Sequence, residues 1–186
     1  MNAQITPNPL FATFCAAINE VTAQLFSNNL SRATQNKFTE LHISIQSTGC
    51  FIGDCIYLYN LLKASPIPVI AYNIWAVQSV ATIAFLGATK RIVSKHAVFM
   101  INRSRFTPQL ATGGLLRELS ELAALEDKRT EELLREHITL HDGKKWEDME
   151  GRDFWFTAEE SIQYGIANSI GEFSPPIGNQ LWSFTI

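Results

Sequence analysis

The sequence predicts an α/β fold built from repeated β-α-β units, with one long amphipathic helix set into them. Three observations carry this. Leu41, Ile43 and Ile45 alternate with His42, Ser44 and Gln46, the period of a strand with two unlike faces. Ala64–Thr89 holds no Asp, Glu, Lys, Arg or His, as a strand, a turn and a helix buried on all sides require. Leu115–His141 sets Leu115, Leu119, Leu122, Leu125, Leu133 and Leu134 against many Glu, Lys and Arg, the pattern of a long amphipathic helix.

The elements follow in order. Leu10–Ile18 is short and apolar and reads as a strand. Glu20–Phe38 carries Val21, Leu25, Leu30 and Ala33 at near-helical spacing. The strand over residues 41–46 is closed by the turn Ser47-Thr48-Gly49. Gly53–Lys63 reads as a helix, with Ile56, Leu58, Tyr59 and Leu62 near one face. Pro68–Tyr72 is a strand, Gln78–Gly87 a buried helix, and Ile92–Ile101, rich in β-branched and aromatic residues, a strand. Thr157 followed by Glu160 forms a capping box for a short helix that runs to Tyr164 and stops at Gly165. Strands and helices thus alternate through the chain.

Composition bounds the function. The chain has 186 residues, read as one domain over residues 1–186, with 46% hydrophobic and 18% charged residues and a formal charge of −3. Without a basic surplus it does not read as a nucleic-acid binder, and its hydrophobic content excludes a disordered chain. The charge-free run exceeds the roughly 20 residues that span a bilayer. Pro66 and Pro68 at its front, and Asn73, Gln78 and Ser79 inside it, favour a strand, a turn and a helix over a membrane span. Met1–Glu20 lacks the Lys or Arg of a signal-peptide start. Cys15, Cys50 and Cys55 show no metal-ligand spacing, so reduced thiols in a cytoplasmic protein are expected. There is no phosphate-binding glycine loop, so any use of ATP falls to a partner.

Two strand-to-helix junctions could carry chemistry, Ser47–Cys50 and Ala76–Ala81. A helix start leaves N–H groups unpaired, and two neighbouring junctions can aim such donors at one oxygen. Ser79 stands where a nucleophile would, and equally where a capping serine would; Gly49 is equally a turn glycine. His42 alternates with apolar residues and is placed toward solvent. His137 and His141, four apart, have a spacing that can hold a metal, but no third ligand accompanies them, and a solvated helix face is the plainer reading. Neither a metal nor a cofactor is expected.

Five segments in order resemble the Clp protease proteolytic subunit family. Leu41–Cys50 with Phe51-Ile52-Gly53-Asp54 is similar to its strand and glycine turn. Ile74–Leu86 is similar to its nucleophile segment. Lys90-Arg91 through Met100-Ile101-Asn102 resembles the strand that ends in the catalytic base. Leu115–His141 is similar to its handle helix, and Phe154–Glu160 through Tyr164–Ile170 to its C-terminal segment, with a tail over residues 174–186. The resemblance implies a Clp/crotonase-like fold and a serine-type peptidase. Ser79 falls on the nucleophile if the segment is aligned to Lys90-Arg91, and Ala81 if it is aligned to Ala84-Phe85. The N–H groups of Cys50 and Val80 fall on the oxyanion donors, although the family has glycine where this chain has Cys50.

One departure stands out. Asn102 occupies the place of the catalytic histidine, and a carboxamide cannot take up a proton as a general base. His96 and Lys95 lie too far back along the strand to substitute. Asp148 falls nearest the acid position, with Asp153 and Met149 close by. The resemblance further implies a heptameric ring, stacking through residues 115–141, a protein or peptide substrate, and a Clp-type ATPase unfoldase as partner, with neither nucleic acid nor membrane. Three functions stay open: a peptidase with a degenerate triad or an inactive ring subunit, a crotonase-type acyl-CoA enzyme that needs no serine, and a non-enzymatic assembly subunit.

Overall fold

The structure is a computed structural model, which describes residues 7–49, 51–105, 110 and 112–185. Its strands are β1 (Pro9–Cys15), β2 (Glu40–Gln46), β3 (Val69–Asn73), β4 (Ala76–Gln78), β5 (Lys90–Val93), β6 (Val98–Ile101), β7 (Phe154–Phe156), β8 (Ser169–Ile170) and β9 (Leu181–Ser183). Its helices are α1 (Glu20–Gln35), α2 (Ile52–Lys63), α3 (Ala81–Leu86), α4 (Gly113–His137) and α5 (Ala158–Gln163), with a 3₁₀ turn at Trp146–Glu150. A six-stranded sheet runs β8-β5-β3-β2-β1-β9, with every pairing parallel. A smaller sheet runs β4-β6-β7, with β4 parallel and β7 antiparallel to β6. The α/β class and the long helix read from the sequence are both present.

The alternation in β2 sorts its side chains as expected. Leu41, Ile43 and Ile45 enter the main core with Phe26 and Leu30 of α1 and Leu58 and Leu62 of α2. The other face is not left to solvent. His42 is half-buried there, stacked on Phe11 at 4.8 Å, with Tyr72 OH 2.8 Å from Nδ1 and Glu40 3.0 Å from Nε2. Phe173 closes over Phe11 and Tyr72. An aromatic residue from a distant part of the chain therefore converts the expected polar face into a second, small core.

The charge-free run resolves into β3, β4 and α3 rather than one helix. Its polar residue Asn73 is wholly buried and acts as a hub. Its Nδ2 donates to Val98 O, its Oδ1 accepts from Trp75 N–H, and its carbonyl accepts from Ser94 N–H. These bonds steer the chain out of the large sheet and into the small one. All six residues of α3 are buried. The helix packs so close to α2 that a Cβ at Gly87 would lie 2.4 Å from the Tyr59 carbonyl oxygen. No described helix is long and apolar enough to cross a membrane.

Four boundaries differ from the sequence reading. The strand expected over Ile92–Ile101 is two strands in different sheets, with Lys95 and His96 exposed on the turn between them. The helix expected over Gln78–Gly87 begins at Ala81, because β4 reaches Gln78. The helix α1 stops at Gln35, where Lys37 turns left-handed at φ 58°. The long helix ends at His137, so His137 and His141 do not share a helix face. His137 meets Tyr59 and His141 stacks on Tyr164, and among the described residues no metal-binding cluster is present. The capping box Thr157–Glu160 forms as expected, and a second one at Asn19–Thr22 starts α1.

Part of the chain's end, read as a tail, is built into the large sheet. There β9 pairs with β1, Phe184 N–H donates to Thr13 O at 2.8 Å, and the Phe184 ring is fully buried edge-on to Phe26. Truncation of Phe184 to Ala removes a ring from the core and is expected to cost about 3–5 kcal/mol, read by urea denaturation.

Where α4 rejoins the body, Tyr59 OH lies 2.9 Å from His137 Nε2 and accepts a bond from Lys63 Nζ. Burial pushes the His137 imidazole below its ordinary value of 6.5; Arg91 and Lys63 add to this and Glu136 opposes it. The folded state thus holds fewer protons than the unfolded one. The contribution is complete above about pH 6.5 and is lost as pH falls below it. Thermal melts between pH 8 and 5.5 are expected to show this decline, and His137→Gln to flatten it.

Candidate active site

The site grows from one meeting of backbones. The turn after β2 is tied to β4 by Ser47 N–H to Ala76 O and Gln78 N–H to Ser47 O, at 3.2 and 2.9 Å. On its other side β4 pairs with β6, Gln78 opposite Met100. The next residue, Ser79, adopts φ 55°, a left-handed conformation costly for a residue with a Cβ. Its N–H donates to Met100 O at 2.7 Å, which holds it there. Behind it, Thr82 is fully buried, with Oγ1 between the carbonyls of Val77 and Met100.

Gly49 faces this serine. It has φ 91°, and a Cβ on it would stand 3.1 Å from Ser79 Cβ and 3.2 Å from Gln78 O. Both the turn and the close approach therefore require glycine. Gly49→Ala is expected to lower stability by about 1–3 kcal/mol in chemical denaturation, through strain and crowding together.

A cavity of about 530 Å³ opens at this point. Thr48, Phe51, Ile52, Ser79 and Val80 line it, together with Asn102–Arg105 and with Leu122 and Glu126 of α4. Ser79 is half-buried and its Oγ bonds to no described residue. Val80 precedes α3 as its cap position, and its N–H likewise has no described acceptor. Asn102 follows the last residue of β6. Its Oδ1 is buried with no partner among the described residues, a penalty of about 1–3 kcal/mol.

The lining residues 103, 105 and 126 are held by ion pairs. Arg103 pairs with Glu131 at 2.6 Å, Arg105 with Asp153, and Glu126 with Arg129 at 2.9 Å; Ser104 N–H donates to Asp127. Burial pushes the Glu131 carboxyl up, but hydrogen bonds from Arg135 and Arg103 and their charges outweigh it, so its pKa lies below the ordinary carboxylate value.

Of the residues singled out in the sequence, Ser79, Val80 and Asn102 meet at this cavity. Cys50 lies outside the described residues. Ala81, the other candidate for the serine's place, is fully buried and does not line the cavity. Asp148 does not line it either: its Oδ2 accepts from Lys145 N–H and Arg152. Asp153 reaches the cavity's edge through Arg105, and Met149 is a core residue. None of the four histidines lines it. The α4 residues Leu122 and Glu126 gave no signal in the sequence beyond an amphipathic pattern. Their role depends on where residues 103–105 cross the helix.

The Clp protease family model matches residues 12–174. The chain belongs to the Clp protease family. It is 25% identical over 167 residues to the ATP-dependent Clp protease proteolytic subunit 2 of Corynebacterium diphtheriae, covering 87% of this chain and 81% of that protein. It is 26% identical over 160 residues to the ATP-dependent Clp protease proteolytic subunit 1 of Rhodopirellula baltica, covering 83% and 66%. The fold is that of a ClpP1 point mutant from Listeria monocytogenes, with a TM-score of 0.66 at 22% identity over 90% of this chain and 91% of that one. The Clp fold accounts for the paired sheets and for the long helix beside the cavity.

Proposed function

We propose that this Clp-family chain is a proteolytic-subunit homologue that keeps the peptide cavity but does not cleave. The observation that carries this reading is Asn102 at the base position, in a cavity that no histidine lines. For Ser79 Oγ to attack a peptide carbonyl, its proton must pass to a base, and a carboxamide offers hydrogen bonds but no basic nitrogen. Val80 N–H, with Cys50 N–H as its counterpart, would still polarise a carbonyl as oxyanion donors. The acid assigned to Asp148 has no histidine to orient. Loss of the base from a serine triad costs on the order of 10⁶ in kcat.

The relatives are named as ATP-dependent proteolytic subunits. On that basis the chain, acting as one domain, takes its place in a cytoplasmic heptameric ring served by a Clp-type ATPase unfoldase. Leu115, Leu116, Leu122 and Leu125 of α4 are each 41–53% exposed, which supports helix-to-helix stacking between rings.

A fluorophosphonate probe is expected to leave Ser79 of the natural chain unlabelled over hours, and to label it in Asn102→His, as read by mass spectrometry of the tryptic peptide. Rapid labelling of the natural chain, together with peptide cleavage that Ser79→Ala abolishes, would defeat the proposal.

A further inference from the structure

The cavity has little net charge to offer a ligand. Arg103, Arg105 and Glu126 each already face an opposite charge, in Glu131, Asp153 and Arg129. A phosphate, carboxylate or ammonium group would meet an occupied partner. The remaining wall is apolar at Phe51, Ile52, Val80 and Leu122. Four of its polar side chains make no bond to a described residue, Thr48, Ser79, Asn102 and Ser104, and of these the Asn102 Oδ1 is the one that is buried.

A buried, unpartnered polar atom in a native protein calls for an explanation, since an apolar side chain of the same shape would be less costly. Leucine has nearly the shape of asparagine and would relieve the penalty. Asn102 is therefore a residue that lowers stability where it stands, at the wall of an open cavity. No described partner locks either end of its carboxamide. The group can turn about its terminal bond to present a donor or an acceptor. The neutral ligand that complements a carboxamide between apolar walls is another amide.

We infer that Asn102 is a ligand-holding residue, whose carboxamide pairs with a main-chain amide of a peptide segment seated in the cavity and kept uncut. This rests on reading the chain as a non-cleaving Clp-family subunit. A histidine at this position would bring a basic ring nitrogen to the cavity; asparagine offers hydrogen bonds without one.

The test uses the full chain and a fluorescein-labelled heptapeptide of Ala and Leu, acetylated and amidated at its ends, followed by fluorescence anisotropy. Asn102→Leu is expected to melt at or above the temperature of the natural chain, yet to bind the peptide about tenfold more weakly, the worth of one well-made hydrogen bond. Asn102→Ala, which adds no bulk, is expected to show the same loss and serves if the leucine variant does not fold. Equal binding by natural and substituted chains, or no binding by either, overturns the inference. Mass spectrometry of the recovered peptide is read separately. An intact peptide with the affinity loss supports the inference, and a cleaved one overturns the non-cleaving reading on which it stands.

Discussion

The bond from Ser79 N–H to Met100 O is the constraint on which the cavity depends. It is a single backbone contact, but it closes the end of the β4–β6 pairing and holds a serine in a left-handed conformation that a free chain would avoid. The cost is offset by the surroundings. Thr82 bonds the same Met100 carbonyl from behind, and Gly49 leaves room in front where a Cβ would crowd Ser79 Cβ at 3.1 Å. Three elements far apart in sequence thereby reach one point, and the serine side chain is directed toward the cavity rather than into α3.

Charge organises another part of the cavity's lining. The segment Arg103–Arg105 has no regular structure and is fastened by ion pairs and by Asp127 to α4 and to Asp153. The Arg105–Asp153 pair, with its arginine exposed, contributes little stability singly, whereas the Arg103–Glu131 pair is largely shielded from solvent. Their effect is positional, since they bring Leu122 and Glu126 to the cavity. The same helix has few buried residues of its own, Thr130 and Leu134, and several of its leucines stand exposed among the described residues.

The scaffold needs backbone geometry at Gly49, Ser79 and Met100, none of which depends on a basic side chain. Asn102, just after β6, borders the cavity, and its carboxamide can hydrogen-bond but cannot take up a proton. Hydrogen bonding and proton transfer are separate properties of a side chain.

Much of the fold was legible in local pattern. The alternation in β2, the leucine stripe of α4 and the caps at Thr157 are short-range features, set by backbone periodicity and by side chains bonding their own turn. The absence of charge over Ala64–Thr89 announced burial, and the order of five segments announced the family. What the pattern did not show depends on contacts between distant residues. Ile92–Ile101 reads as one strand because Ser94–Ala97 is too short a break to see, yet Asn73 draws Val98 into another sheet. His42 reads as exposed because Phe173, more than a hundred residues on, is what covers its neighbours. The chain's end reads as a tail because a short edge strand is stabilised by β1 and by the Phe26–Phe184 contact, not by its own propensity. By itself the sequence determined most of the secondary structure, the family, and that asparagine rather than histidine follows Ile101. Only the tertiary structure decided that Ser79 rather than Ala81 faces the cavity and that Glu126 borders it. Those outcomes follow from how β4, β6 and α4 meet, and no local spacing encodes that meeting.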